Sequence, residues 1–149
     1  MSKFVFSQLS LSRLVGVNAN LVKVVNRALE LSDIDFMVVE GLRSREECMI
    51  NWGKGRNIAD CLKFGIPASY SKPNEKRVTA LANPFNSKHA TGRAVDLAPL
   101  LSNGQPDWND LSKYQKLAGF MKQASKELNI PIVWGGDWKT LKDNPHFEV

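Results

Sequence analysis

Apolar residues recur along this chain with two different periods, and the switches between them predict its elements. From Asn18, the segment NANLVKVVNRALELS sets Leu21, Val24, Val25, Ala28 and Leu29 at three- and four-residue steps, with Asn18 or Asn20 as N-cap, so it predicts an amphipathic helix. DFMVVEG, residues 35–41, is a β-branched run closed by glycine and predicts a strand. Ser44-Arg45-Glu46-Glu47 has the S-x-x-E form of a capping box, which starts a helix at Ser44 that should continue to about Trp52. The tight turn Gly41-Leu42-Arg43 between them displays Arg43 at its apex. Further on, residues 93–98 (RAVDLA), IPIVWGG and the closing PHFEV predict three more short strands. Leu111, Tyr114, Leu117, Ala118, Met121 and Leu128 form a second helical stripe, which makes Tyr114 and Met121 core residues.

Residues 53–88 are interrupted by Gly53, Gly55, Gly65, Pro67, Pro73 and Pro84, and they predict a loop-rich stretch with one short helical pattern, IADCLKF. The strands are few and unevenly spaced, and there is no phosphate-binding glycine loop. The expectation is a small α+β single domain over residues 1–149: a mostly antiparallel, short-stranded sheet packed with helices, carrying an insert at about 53–86.

Composition narrows the class. A chain of 149 residues can bury a core without disulfide staples. No apolar run approaches the roughly 20 residues that cross a bilayer, so no stable membrane insertion is expected. In MSKFVFSQLSLSRLVGV, Ser, Gln and Arg13 interrupt every apolar stretch, so a cleavable signal peptide is not expected and the cytoplasm is the expected place of residence. Twenty Lys and Arg against fifteen Asp and Glu give a net charge of +5, which favours anionic partners. The basic residues are scattered, with a mild concentration at Lys54, Arg56, Lys63, Lys72, Lys76 and Arg77. No nucleic-acid motif is interleaved with them, so no nucleic-acid partner is expected. Cys48 and Cys61 have neither metal-binding nor redox spacing, and buried free thiols are expected.

The candidate chemistry rests on a scarce residue type. Only two histidines occur, His89 in SKHATGRAVDL and His146 in DNPHFEV. A catalytic zinc site needs three N or O ligands and an open position, and His89, Asp96 and His146 can supply the three. His89 would enter from the loop feeding the AVDLA strand, Asp96 from that strand, and His146 from a neighbouring C-terminal strand. Asp143 is a candidate general base and proton donor, and the forked guanidinium of Arg43 a partner for an oxyanion or a carboxylate. Trp134, Trp138 and the Gly135-Gly136 pair either wall a cleft or pack beneath a turn. Glu40 reads as half of an ordinary salt bridge, and Glu148, two residues past His146, is assigned no ligand role. On these residues alone, a loop histidine and a frayed terminal histidine explain the pattern better than zinc does.

Ser87-x-His89-x-x-Gly92-x-Ala94-x-Asp96, followed by Asp143-x-x-His146, resembles the LAS-type zinc peptidases of peptidoglycan, which include D-alanyl-D-alanine carboxypeptidases and dipeptidases and the L-alanyl-D-glutamate endopeptidases of bacteriophages. VVEGLRSREE resembles the segment carrying the family's arginine, AVDLAP the first ligand strand, and WGGDWKTLKDNPHFE the closing motif of the phage branch. The resemblance implies Zn2+ held by His89, Asp96 and His146 in a cleft on the sheet. It further implies Asp143 as the catalytic acid/base, Arg43 as an oxyanion- or substrate-binding residue, and Ser87 as a substrate-contacting hydroxyl. Many relatives have glutamate where Asp143 stands, whereas the phage branch commonly has aspartate. The segment IADCLKFGIPASYSKPNEKRVTALANP departs from simpler phage relatives as an insert. The implied function is a phage endolysin: a monomer acting on bacterial peptidoglycan, held in the host cytoplasm until a separate permeabilising protein gives it access to the wall. The alternatives are trimming of D-Ala-D-Ala ends and, from another class, a basic wall-binding module with structural zinc.

Overall fold

The computed structural model describes residues 4–149 and places in chain order helices α1 (Gln8–Leu14) and α2 (Ala19–Leu31), strand β1 (Phe36–Glu40), helices α3 (Arg45–Gly53) and α4 (Ile58–Lys63), strand β2 (Ala94–Pro99), helix α5 (Leu111–Leu128), and strands β3 (Val133–Trp134) and β4 (His146–Glu148). These fall into two units, one formed by the chain up to Leu42 and from Gly92 onward, the other by Arg43–Thr91.

The first unit carries a four-stranded sheet of order β1-β2-β4-β3 in which every pairing is antiparallel, as expected. Helix α2 starts where Asn18 Oδ1 accepts the N–H groups of Asn20 (2.9 Å) and Leu21 (3.3 Å), which satisfies donors the first turn leaves without partners. Its stripe Leu21, Val24, Val25, Ala28 and Leu29 is buried against Tyr114, Leu117, Ala118, Met121 and Ala124 of α5. The same cluster takes in Phe36, Val38, Val95, Leu97 and Phe147 from the sheet. Each fully buried Val, Leu or Phe contributes about 1.5–3 kcal/mol, so this contact between helices and sheet holds the frame of the site. The stripe of α5 is shorter than its spacing predicts. Leu111 and Leu128, the first and last helical residues, are 51% and 39% exposed.

Helix α1 is not predicted by apolar periodicity, because the residues it turns inward are Ser10 and Leu14 while Leu9 and Leu11 are exposed. Its buried face is polar for a reason. Strand β1 lies at the sheet edge, and there the Val38 N–H donates to Ser10 Oγ (3.1 Å) while Arg13 Nη1 donates to the Val38 carbonyl (3.0 Å). Both backbone groups would otherwise be a template for another strand. Gly41 permits this approach, since a Cβ there would lie 1.9 Å from the Arg13 carbonyl oxygen. A register shift between Val38 and Glu40 then sets Glu40 opposite Asp96.

In the second unit, Ser44 Oγ accepts the Glu47 N–H (3.1 Å) and starts α3 one residue after the expected position. Residues 53–88 are more regular than their glycines and prolines suggest. IADCLKF does form α4, capped by Asn57 Oδ1 on the Asp60 N–H (2.8 Å), and Ala68–Tyr70 make a 3-10 turn. Trp52, Cys61 and Ile66 form a small core of their own. Cys48 and Cys61 are buried free thiols, as expected from their spacing.

Candidate metal centre

Strand β2 is buried along almost its whole length, and Asp96 is the one half-buried residue among Ala94, Val95, Leu97, Ala98 and Pro99. Strand β4 pairs with it so that Asp96 faces His146, Val95 faces Phe147, and Ala94 faces Glu148. The ladder is extended at both ends, by the Leu97 N–H to the Pro145 carbonyl (2.9 Å) and the Val149 N–H to the Arg93 carbonyl (3.0 Å). A one-residue slip would turn His146 to the opposite face, so this register is what makes the pair.

His146 is 7% exposed, with Nδ1 3.4 Å from Asp96 Oδ1 and Nε2 2.9 Å from Glu148 Oε1. Glu148 shares the face of His146 because side chains two apart on a strand point the same way. Burial pushes the imidazole toward its neutral form, but hydrogen bonds to Asp96 and Glu148 and the nearby Asp143 charge outweigh it and hold the pKa above the usual histidine range. When Nε2–H donates to Glu148, the Nδ1 lone pair of a neutral ring confronts a carboxylate oxygen. Two acceptors at that distance require positive charge between them, either a proton or a metal ion. Tetrahedral zinc with bonds of about 2.0–2.2 Å holds neighbouring ligand atoms about 3.3–3.6 Å apart, close to the separation seen here. The donor pair therefore fits such an ion.

In the 43–91 unit, residues 87–91 form a run of turns in which Ser87 Oγ accepts the Ala90 N–H (3.0 Å). That leaves the Ser87 hydroxyl proton available as a donor. His89 is 5% exposed, and its carbonyl accepts the Arg43 N–H (2.9 Å), which ties the backbone of Arg43 to the histidine turn. The candidate ligand atoms of His89, Asp96 and His146 all lie within 4.8 Å of one another. Two imidazoles and one carboxylate, with no thiolate, make a donor set suited to a divalent metal.

Asp143 is half-buried and is held through its backbone from two sides. Its N–H donates to the Gly135 carbonyl (3.0 Å) and its carbonyl accepts the His146 N–H (3.2 Å). Gly135 lies so close that a Cβ there would stand 2.3 Å from the Asp143 carbonyl oxygen. Trp134 is a packing residue: its ring stacks on Phe147 at 6.4 Å, and Nε1 donates to the Asn144 carbonyl (2.7 Å), which pins the loop between Asp143 and His146. The Trp138 ring lies 5.1 Å from that of His146 at a tilt of 45°. Behind the strands, the Tyr114 hydroxyl is buried without a hydrogen-bond partner among the described residues. Its pKa is pushed up to about 12, first by burial and then by the carboxylates of Asp107, Asp143 and Asp96.

Two contributors carry only a faint sequence signal. Glu148 could be found from the His-x-Glu spacing on a strand, but that spacing says nothing of which ring nitrogen it meets. Gly135 could be found only from the backbone that approaches it.

The chain is similar to known proteins over most of its length. The family model of phage L-alanyl-D-glutamate peptidases matches residues 1–64 and 67–148. The chain is 36% identical over 140 residues to the L-alanyl-D-glutamate peptidase of Escherichia phage T5, covering 94% of this chain and 85% of that one. It is 28% identical over 150 residues to the peptidoglycan L-alanyl-D-glutamate endopeptidase CwlK of Bacillus subtilis, covering 91% and 71% of the two. Among solved structures, the L-Ala D-Glu endopeptidase ChiX of Serratia marcescens superposes with a TM-score of 0.70 at 30% identity, over 99% of this chain and 91% of that one. The chain belongs to the phage L-alanyl-D-glutamate peptidase family.

Proposed function

We propose that this chain is a zinc-dependent peptidoglycan endopeptidase of the endolysin type, which cleaves the bond between L-alanine and D-glutamate in the peptide stem. The observation that carries the site assignment is the direct pairing of Asp96 with His146 across β2 and β4, with Glu148 engaging the second ring nitrogen. His89, Asp96 and His146 would hold the ion, and Glu148 would keep His146 in the tautomer that offers Nδ1. When bound, zinc supplies Lewis acidity toward the amide carbonyl and makes water a better proton donor near neutral pH. Asp143 takes a proton from the attacking water and returns it to the departing amine. Arg43 holds the oxyanion or an acidic group of the stem. The Ser87 hydroxyl donates to the bound peptide.

Residues 1–149 would act as a single catalytic domain, monomeric, resident in the host cytoplasm until a permeabilising protein opens the way to the wall. The resemblance supports this; among the described residues, no helix is long and apolar enough to cross a membrane.

The test combines metal analysis with mass spectrometry of digested muropeptides. Asp143→Asn should keep zinc and lose hydrolysis, whereas His89→Ala should lose both. Release of D-alanine alone would refute the bond assignment, and near-parental turnover in Asp143→Asn would exclude Asp143 as the base.

A further inference from the structure

The 43–91 unit contains a cavity of about 340 Å3, close to the smallest volumes that small-molecule sites use, with Trp52 and Phe64 as aromatic wall and Arg56, Lys63, Arg77 and Asp60 as its charged lining. It is built wholly from residues 43–91. It gathers three members of the basic concentration visible in the sequence, which the proposed chemistry leaves unused.

Arg56 is the anchor. It is 5% exposed, and its Nη1 donates to the Trp52 carbonyl (2.8 Å) and its Nη2 to the carbonyls of Thr79 (2.8 Å) and Leu81 (3.3 Å), with the guanidinium 4.1 Å above the Trp52 ring. All of these partners are dipoles or π faces, and none carries a full negative charge. Burial and the neighbouring Arg77 charge both hold the pKa of Arg56 below its usual value, in keeping with a cation short of counter-charge. The single carboxylate in the lining, Asp60, makes a loose 3.8 Å contact with Lys63. Three cations against one anion leave the cavity positive, and a bound anion would relieve the repulsion between Arg56 and Arg77. Its walls are aromatic and aliphatic, with Ala80, Leu81 and Ala82 completing them. That combination suits a carboxylate on a short apolar residue better than a fully hydrated phosphate.

We propose that this cavity binds the carboxylate of a short aliphatic peptide and that the 43–91 unit thereby grips an acidic end of the wall peptide. The source of that carboxylate rests on the peptidase function proposed above. Binding itself does not.

The test is a titration of the full-length 15N-labelled protein followed by NMR. The Trp52 indole N–H, which donates to the Leu81 carbonyl (2.9 Å), is the reporter. N-acetyl-D-alanine should shift it saturably, while the neutral N-acetyl-D-alaninamide should not. Arg77→Ala, at an exposed position, should weaken binding about tenfold, the usual consequence of removing a hydrogen bond to a charged group. Equal shifts from the amide, tighter binding of inorganic phosphate, an unchanged affinity in Arg77→Ala, or no shift at all would each overturn the proposal. Hydrolysis is not the readout, so failure here leaves the peptidase function standing, and failure of the peptidase assay leaves this site standing.

Discussion

Replacing Gly135 by alanine should disable the enzyme without touching a ligand. Its φ is not positive, so the constraint is spatial. The new Cβ would stand 2.3 Å from the Asp143 carbonyl oxygen and 3.0 Å from Asp143 Cβ. Opening 2.3 Å to the 3.0–3.4 Å that the tightest real Cβ contacts reach requires about 0.7–1.1 Å of movement between the two backbones. Neither atom is the far end of a flexible side chain, so the loop must move as a piece. Overpacking of this kind costs about 1–3 kcal/mol. A displacement near 1 Å of a reacting group costs on the order of 100-fold in rate. The expected outcome of Gly135→Ala is a turnover on defined muropeptides about 100-fold lower, with a reduced melting temperature and with metal retained at the proposed site, because its proposed ligands His89, Asp96 and His146 remain. A variant with parental turnover and parental melting temperature would refute the claim that this close approach positions Asp143.

Gly119→Ala provides the opposite case: nothing lies within 4 Å of the added Cβ on the exposed face of α5, so the change should stabilise by about 1 kcal/mol and raise the melting temperature by roughly 2–4 °C in calorimetry. Glu148→Ala removes the partner of His146 Nε2 and should weaken zinc affinity about 10- to 100-fold in competition with a chelating dye, with the fold retained by circular dichroism. Asp107 accepts the N–H groups of Asn109 (3.1 Å) and Asp110 (3.2 Å) and the Lys113 ammonium (3.2 Å), and these, the Asn109 N–H foremost, hold its pKa below the usual carboxylate value. Its stabilising contribution is therefore complete above the unfolded carboxylate pKa of about 3.9 and is lost as pH falls through the lower folded value. Urea unfolding at pH 5 and pH 3 should show a smaller fall in stability for Asp107→Asn than for the parent, and parallel curves would contradict it.

The legible parts of this fold were those whose burial follows a period. Leu21 to Leu29 and Tyr114 to Met121 announce their helices, and β1 and β2 announce themselves as β-branched or apolar runs. Helix α1 was hidden because its inward residue Ser10 serves the Val38 backbone rather than the apolar core. Helix α4 showed only as a short pattern among glycines and prolines, since periodicity over six residues is a weak signal. For the site, residue types and motif spacing named His89, Asp96, Asp143 and His146. They did not reveal which atoms of these residues would meet.

The sequence by itself supplied the candidate donors, two scarce histidines with aspartates at family spacing, because covalent order preserves residue type and local interval. Tertiary structure alone decided the antiparallel register that sets Asp96 opposite His146, the engagement of Nε2 by Glu148, and the close backbone approach of Gly135 to Asp143. Those depend on pairings between segments far apart in the chain. Their distances follow from how the sheet closes, which no local pattern records.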